Sequence, residues 1–139
     1  MKTALITGAS QGIGAAVADK LNDKKIKVIL VSRSKSKLKS FQKNLKFPKN
    51  SLIISKDLRS LSACNSVAKK IKKLDYLINV AGATKGGKFL NLNDNIWEDG
   101  FNLKFKAAVR LSRAFWPALK KSKGKVINIG GGAARNPSN

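Results

Sequence analysis

The chain has 139 residues, 42% of them hydrophobic, enough for a packed core and too many for an intrinsically disordered polymer, so a single globular unit is expected. Lys and Arg number 29 against 7 Asp and Glu, a net charge of +22, which favours anionic partners: phosphorylated cofactors, nucleic acid or acidic membrane surfaces. One Cys and no His exclude a disulfide framework, a cysteine metal cluster and a histidine general base, and no metal site is expected.

The opening "MKTALITG" is too short an apolar run for a signal-peptide core or a membrane span, and a soluble cytoplasmic protein without membrane contact is expected. From there, five apolar runs recur: "ALIT" (4–7), "KVILVS" (27–32), "SLIIS" (51–55), "YLINVA" (76–81) and "KVINIG" (125–130). They are mostly continuous rather than alternating, as in strands buried on both faces. Between them apolar residues fall at helical spacing: Ile13, Val17 and Leu21; Leu38, Phe41 and Leu45; Cys64, Val67 and Ile71; then a longer helix from about Ile96 to Leu119. Asn93 or Asp94 is placed to cap that helix, while Gly100 and Pro117 weaken or bend it. Strand and helix alternate throughout, which calls for parallel strands joined by right-handed crossovers. The expected fold is α/β, a doubly wound parallel sheet of five strands, with no linker or internal boundary.

Basic residues sit in nearly every polar segment, among them "NDKKIK", "AKKIKKL" and "LKKSKGK". Lys dominates and no aromatic residues are interleaved to stack bases, so the charge reads as solvated faces and no nucleic-acid partner is expected. The turn "TGASQGIG", Thr7 to Gly14, is more specific, because it joins the first strand to the first helix. Gly8 permits a tight turn, Gly12 admits a pyrophosphate to the backbone, and Gly14 lets helix and sheet approach closely. The helix N-terminus behind them presents unpaired N–H groups to an anion. At the end of the second strand, "VSRSK" places Ser32 where an acidic residue would bond the ribose hydroxyls of NAD. Arg33, with Ser34 and Lys35 beside it, suits a 2′-phosphate instead, so NADP is expected over NAD.

With these motifs the sequence resembles the short-chain dehydrogenase/reductase family, whose glycine turn reads TGxxxGIG; Ser10, Gln11 and Ile13 occupy its remaining contact positions. "DL", Asp57 and Leu58, follows the third strand where the family contacts adenine, and "NVAG", Asn79 to Gly82 with Ala81, stands where the family usually has NNAG. "FNL" puts Asn102 at the family's catalytic-tetrad asparagine, and "GKVINIG" is similar to its fifth strand. The resemblance covers the whole chain. It implies a Rossmann-type fold and hydride transfer between a nicotinamide cofactor and a small carbonyl or alcohol substrate. A serine after the fifth strand, and a tyrosine and lysine four residues apart, carry the proton chemistry in the family.

Only Asn102 of that set is placed here. Strand five runs into Gly130, Gly131 and Gly132, with glycine in place of the serine, and the only tyrosine, Tyr76, starts the fourth strand and is not recruited. The closing "GGGAARNPSN" resembles the family's loop before the catalytic helix, so residues 1–139 are expected to be an incomplete dinucleotide-binding domain, inactive alone. The resemblance also implies a homo-oligomer built on the long helix. Exposed strand five and Trp97, Phe101, Phe105 and Trp116 lead to the expectation that the isolated chain is marginally stable and associates. Two other readings stand beside the enzyme: an inactive dinucleotide-binding module, and nucleic-acid binding through net charge, which would weaken steeply with salt.

Overall fold

The computed structural model describes residues 1–82 and 85–131. Five parallel strands, β1 (Thr3–Thr7), β2 (Lys27–Ser32), β3 (Ser51–Ser55), β4 (Tyr76–Asn79) and β5 (Lys125–Asn128), form one sheet in the order β3-β2-β1-β4-β5. Helices α1 (Gly12–Asp23), α2 (Lys35–Lys43) and α3 (Leu61–Lys69) connect the first four strands. A helical run then joins β4 to β5: α4 (Asp94–Phe101), a π turn (Asn102–Lys106) and α5 (Ala107–Ser122). This is the doubly wound, Rossmann-type α/β architecture.

The near-continuous apolar strands have a simple cause in the side-chain period of two. Leu5, Ile29, Val31 and Leu77 face one core, closed by Cys64 and Val67 of α3 and by Leu111, Phe115 and Leu119 of α5. Ala4, Ile6, Val28, Leu30 and Ile78 face the other, closed by Ala18 of α1 and Leu38 of α2. Both faces of the inner strands are therefore dry. The outer strands are less so: Leu52 of β3 and Ile127 of β5 remain exposed.

Three helices begin at the polar caps their sequences supply. Ser34 Oγ accepts from Lys37 N at 3.4 Å, Ser60 Oγ from Ala63 N at 3.2 Å, and Asn93 Oδ1 from Ile96 N at 3.1 Å. Of the two cap candidates for the long helix, Asn93 is the one used. Pro117 lies inside α5 without ending it, whereas the expected single helix contains the π turn at Asn102–Lys106. The buried stripe Leu103, Ala107, Leu111, Phe115 and Leu119 recurs at four-residue steps, the first of which spans the π turn while the rest lie in α5. The opposite face carries Trp97, Phe101, Phe105, Val109 and Trp116, all substantially exposed. Among the described residues, no helix is long and apolar enough to cross a membrane.

Cys64 is fully buried, and its Sγ donates to the Leu58 carbonyl at 3.5 Å. Burial pushes its thiol above the ordinary range, against a smaller opposing effect of Arg110. A thiol reagent at neutral pH is expected to modify native Cys64 at least about a hundredfold more slowly than the unfolded chain, because both access and thiolate are lacking. Timed labelling with and without urea checks this; equal rates would show that the α3 side of the core opens freely. The folded thiol holds its proton more tightly than the unfolded one. Its contribution to stability therefore falls as pH rises above the thiol's ordinary range.

Candidate functional site: a dinucleotide groove at the strand ends

The chain lays β2 and β3 to one side of β1, then crosses to place β4 on the other, which opens a crevice at the carboxyl ends of β1 and β4. Ligands of open α/β sheets bind at such a switch point. Here the crevice is a groove of about 370 Å³ running from the β2–α2 loop, past the N-terminus of α1, to the end of β4. Gly8, Ser10, Gln11, Gly12, Ile13 and Gly14 form its floor, Ser32, Arg33 and Ser34 one end, and Val80, Ala81 and Gly82 the other.

Positive φ at Gly8 and Gly12 and close packing at Gly8 and Gly14 explain the glycines. Gly8 and Gly12 hold φ of +64° and +57°, where a side chain is strained, and the space a Cβ would take at Gly12 is open to a ligand. A Cβ at Gly14 would overlap the Gly8 carbonyl. Thr7 contributes what the motif alone does not show: its Oγ1 accepts from Val80 N at 2.9 Å and Ala81 N at 3.0 Å, tying the end of β4 to the glycine turn. Helix α1 differs from α2, α3 and α4 in having no side-chain cap, and no acidic residue stands in its first turn. Its first N–H groups thus point into the groove with their partial positive charge uncompensated.

Among the described residues, the groove wall contains no carboxylate. Arg33 is joined by Lys37, whose Nζ donates to Gln11 Oε1 at 3.4 Å, and by Lys56. These two lysines escaped the sequence reading because they come from α2 and from the loop after β3. Ser55 Oγ donating to the Arg33 carbonyl at 2.7 Å and Lys56 N donating to the Ser32 carbonyl at 3.0 Å hold the two loops together. Ser32 Oγ is buried without a hydrogen-bond partner among the described residues. An orphaned hydroxyl beside three cations, on an uncapped helix end with an open glycine cradle, fits a phosphorylated dinucleotide.

Most of the expected contact residues line this groove, including Leu58 from the "DL" pair; three do not. Asp57 Oδ1 accepts from Arg59 N at 3.1 Å, closing its own turn, and Arg59 continues to Asp99 of α4 at 3.1 Å. Asn79 is buried and donates from Nδ2 to Asn128 Oδ1 at 2.9 Å, bridging β4 and β5. Asn102 sits beside Glu98, whose carboxyl is held below its ordinary range chiefly by the Lys106 ammonium at 2.9 Å and to a lesser degree by Asn102. From the same turn, Leu103 reaches the groove wall. Tyr76, at the opposite end of the sheet, accepts from Lys2 Nζ at 3.0 Å. Among the described residues, Gly130 and Gly131 have nothing within 4 Å of where a side chain would begin, while 132–139 lie outside the described residues.

Comparison with known proteins agrees with this geometry. The model of the short chain dehydrogenase family matches residues 2–139. The 3-oxoacyl-(acyl-carrier-protein) reductase FabG of Rickettsia typhi is 36% identical over 98% of this chain and 57% of its own length. The Escherichia coli protein of that name is 32% identical over 93% and 54%. Among solved structures, a metagenomic short-chain oxidoreductase in complex with NADP superposes with a TM-score of 0.91 at 32% identity, over 99% of this chain and 65% of the other. L-sorbose reductase from Gluconobacter frateurii, complexed with NADPH and L-sorbose, gives 0.91 at 27% identity, over 99% and 55%. The chain thus spans a little over half the length of the curated relatives it matches. A glycine turn on an uncapped helix, at the switch point of a parallel sheet and within a family match that runs almost end to end, places this chain in the short-chain dehydrogenase family of oxidoreductases.

Proposed function

We propose that this chain supplies the NADP(H) site of an oxidoreductase that reduces a carbonyl or oxidises an alcohol. The observation that carries the reading is a groove whose described residues include no carboxylate, with Arg33, Lys37 and Lys56 at one end and the bare N-terminus of α1 at its centre. Ser10 to Gly14 would hold the pyrophosphate, Arg33 and Ser34 the 2′-phosphate, and Leu58 the adenine face. When bound, the cofactor supplies or takes up the hydride. Two NADP(H) complexes among the structural neighbours support the choice of dinucleotide. Gly131, where the resemblance expects a serine, favours a second reading, in which the chain holds the dinucleotide without turnover. Self-association through the exposed Trp97, Phe101, Phe105 and Trp116 face belongs to the first reading.

Titration of the chain with NADPH and NADH, followed by nicotinamide fluorescence, tests the proposal. NADPH is expected to bind at least about tenfold more tightly, the worth of one charge-assisted phosphate contact. Binding should weaken only moderately with salt, because few charges meet. Failure to bind either dinucleotide, together with duplex DNA binding that collapses between low and moderate salt, would overturn it in favour of a charge-driven nucleic-acid function.

A further inference from the structure

The π turn Asn102–Lys106 also brings the Lys104 side chain to the ends of β4 and β5. Lys104 lies across Gly82, where an added Cβ would overlap its Cδ and stand 3.1 Å from its Nζ. Its ammonium donates to the Ile129 carbonyl at 2.6 Å, just beyond β5. Gly82 belongs to the wall of the dinucleotide groove, whereas Lys104 lines an adjoining cavity of about 400 Å³ with Trp97, Phe101 and Phe105. The ammonium therefore stands at the junction of a polar groove and an apolar cavity. Among the described residues no carboxylate pairs with it, and the Ile129 carbonyl engages one of its three donors.

The direction of the groove assigns a role. With the 2′-phosphate among Arg33, Lys37 and Lys56 and the pyrophosphate over Gly12, the second nucleoside extends toward Ala81, Gly82 and Leu103, beside Lys104. We propose that Lys104 is a cofactor-contacting residue: its free N–H groups donate to the oxygens of the nicotinamide nucleoside, and its charge favours the neutral reduced ring over the cationic oxidised one. The assignment rests on the NADP(H) reading above.

The test uses the intact chain and three probes, NADPH, NADP⁺ and adenosine 2′,5′-bisphosphate, which has the adenine half alone. In Lys104→Met, NADPH affinity is expected to fall about tenfold, the preference for NADPH over NADP⁺ to shrink, and the bisphosphate to bind as before. Lys104→Arg, which keeps the cation, should retain the preference. As a readout independent of the methionine variant's folding, lysines are labelled biosynthetically with ¹³C at Cε, which leaves every ammonium unmodified, and the Lys104 resonance is assigned by its absence in Lys104→Arg. That resonance should shift with NADPH and stay unmoved by the bisphosphate. Unchanged NADPH affinity in Lys104→Met, equal losses for all three probes, or a resonance indifferent to NADPH would overturn the assignment while leaving the NADP(H) reading intact. Wild type that binds none of the three overturns both.

Discussion

Gly14→Ala is expected to destabilise the chain by about 3 kcal/mol and to abolish NADPH binding, the upper range for overpacking a site that cannot relax. The added methyl would meet the Gly8 carbonyl, with its carbon at 2.7 Å, and Ala9 Cα at 3.2 Å, all backbone. Neither side has room to yield: Gly8 is itself packed against Ala81, at 3.1 Å from where its own Cβ would lie, and Ala81 is held by Thr7. Relief of the clash must therefore lift α1 off the sheet or flatten the turn, and either movement spoils the anion cradle. Gly12→Ala is the contrasting control. It meets no atom within 4 Å, so its cost is the strain of a side chain at positive φ, about 1 kcal/mol, yet it fills the space left for the pyrophosphate. Urea unfolding with parallel NADPH titration separates the two: Gly14→Ala loses stability and binding, Gly12→Ala mainly binding. A Gly14→Ala protein with a wild-type urea midpoint would show that the turn is looser than the packing implies.

Cofactor choice should turn on two adjacent residues. Arg33→Ala is expected to weaken NADPH by roughly 10- to 100-fold, the range for losing a charge-assisted phosphate contact, and to leave NADH almost unchanged. Lys37 and Lys56 remain as neighbours, which keeps the loss from being total. Ser32→Asp acts from the other direction. Its carboxylate would occupy the place of the orphaned Ser32 hydroxyl, bond the two ribose hydroxyls of NADH and repel a 2′-phosphate. The double variant should therefore prefer NADH, as read from dissociation constants for both dinucleotides at one fixed salt concentration. Retention of the wild-type NADPH preference in Arg33→Ala would move the 2′-phosphate site to Lys37 and Lys56 and reject the assignment of Arg33.

Sequence alone determined what depends on neighbours along the chain. The five strands were legible because each is a short apolar run between turn residues. The glycine turn was legible because positive φ and close approach leave few alternatives to glycine at Gly8, Gly12 and Gly14. A cap at Asn93 or Asp94 follows the same local logic; the structure uses Asn93 and adds caps at Ser34 and Ser60 that the sequence reading did not name. Tertiary structure decided what depends on rotation and on distant partners. Lys37 and Lys56 join Arg33 only because α2 and the loop after β3 converge on the end of β2. Asn79 and Asp57 were found by motif, but strand pairing with Asn128 and the turn closed by Arg59 determine where their side chains point. The long helix shows the reason most directly. Asn102 and Lys104 both lie in the π turn, where the rotation per residue differs from that of a regular α-helix, so helical spacing alone does not give the direction of either side chain. The packing of Leu103 and Ala107 in the core fixes the rotation of this turn, a contact between segments that no local pattern encodes.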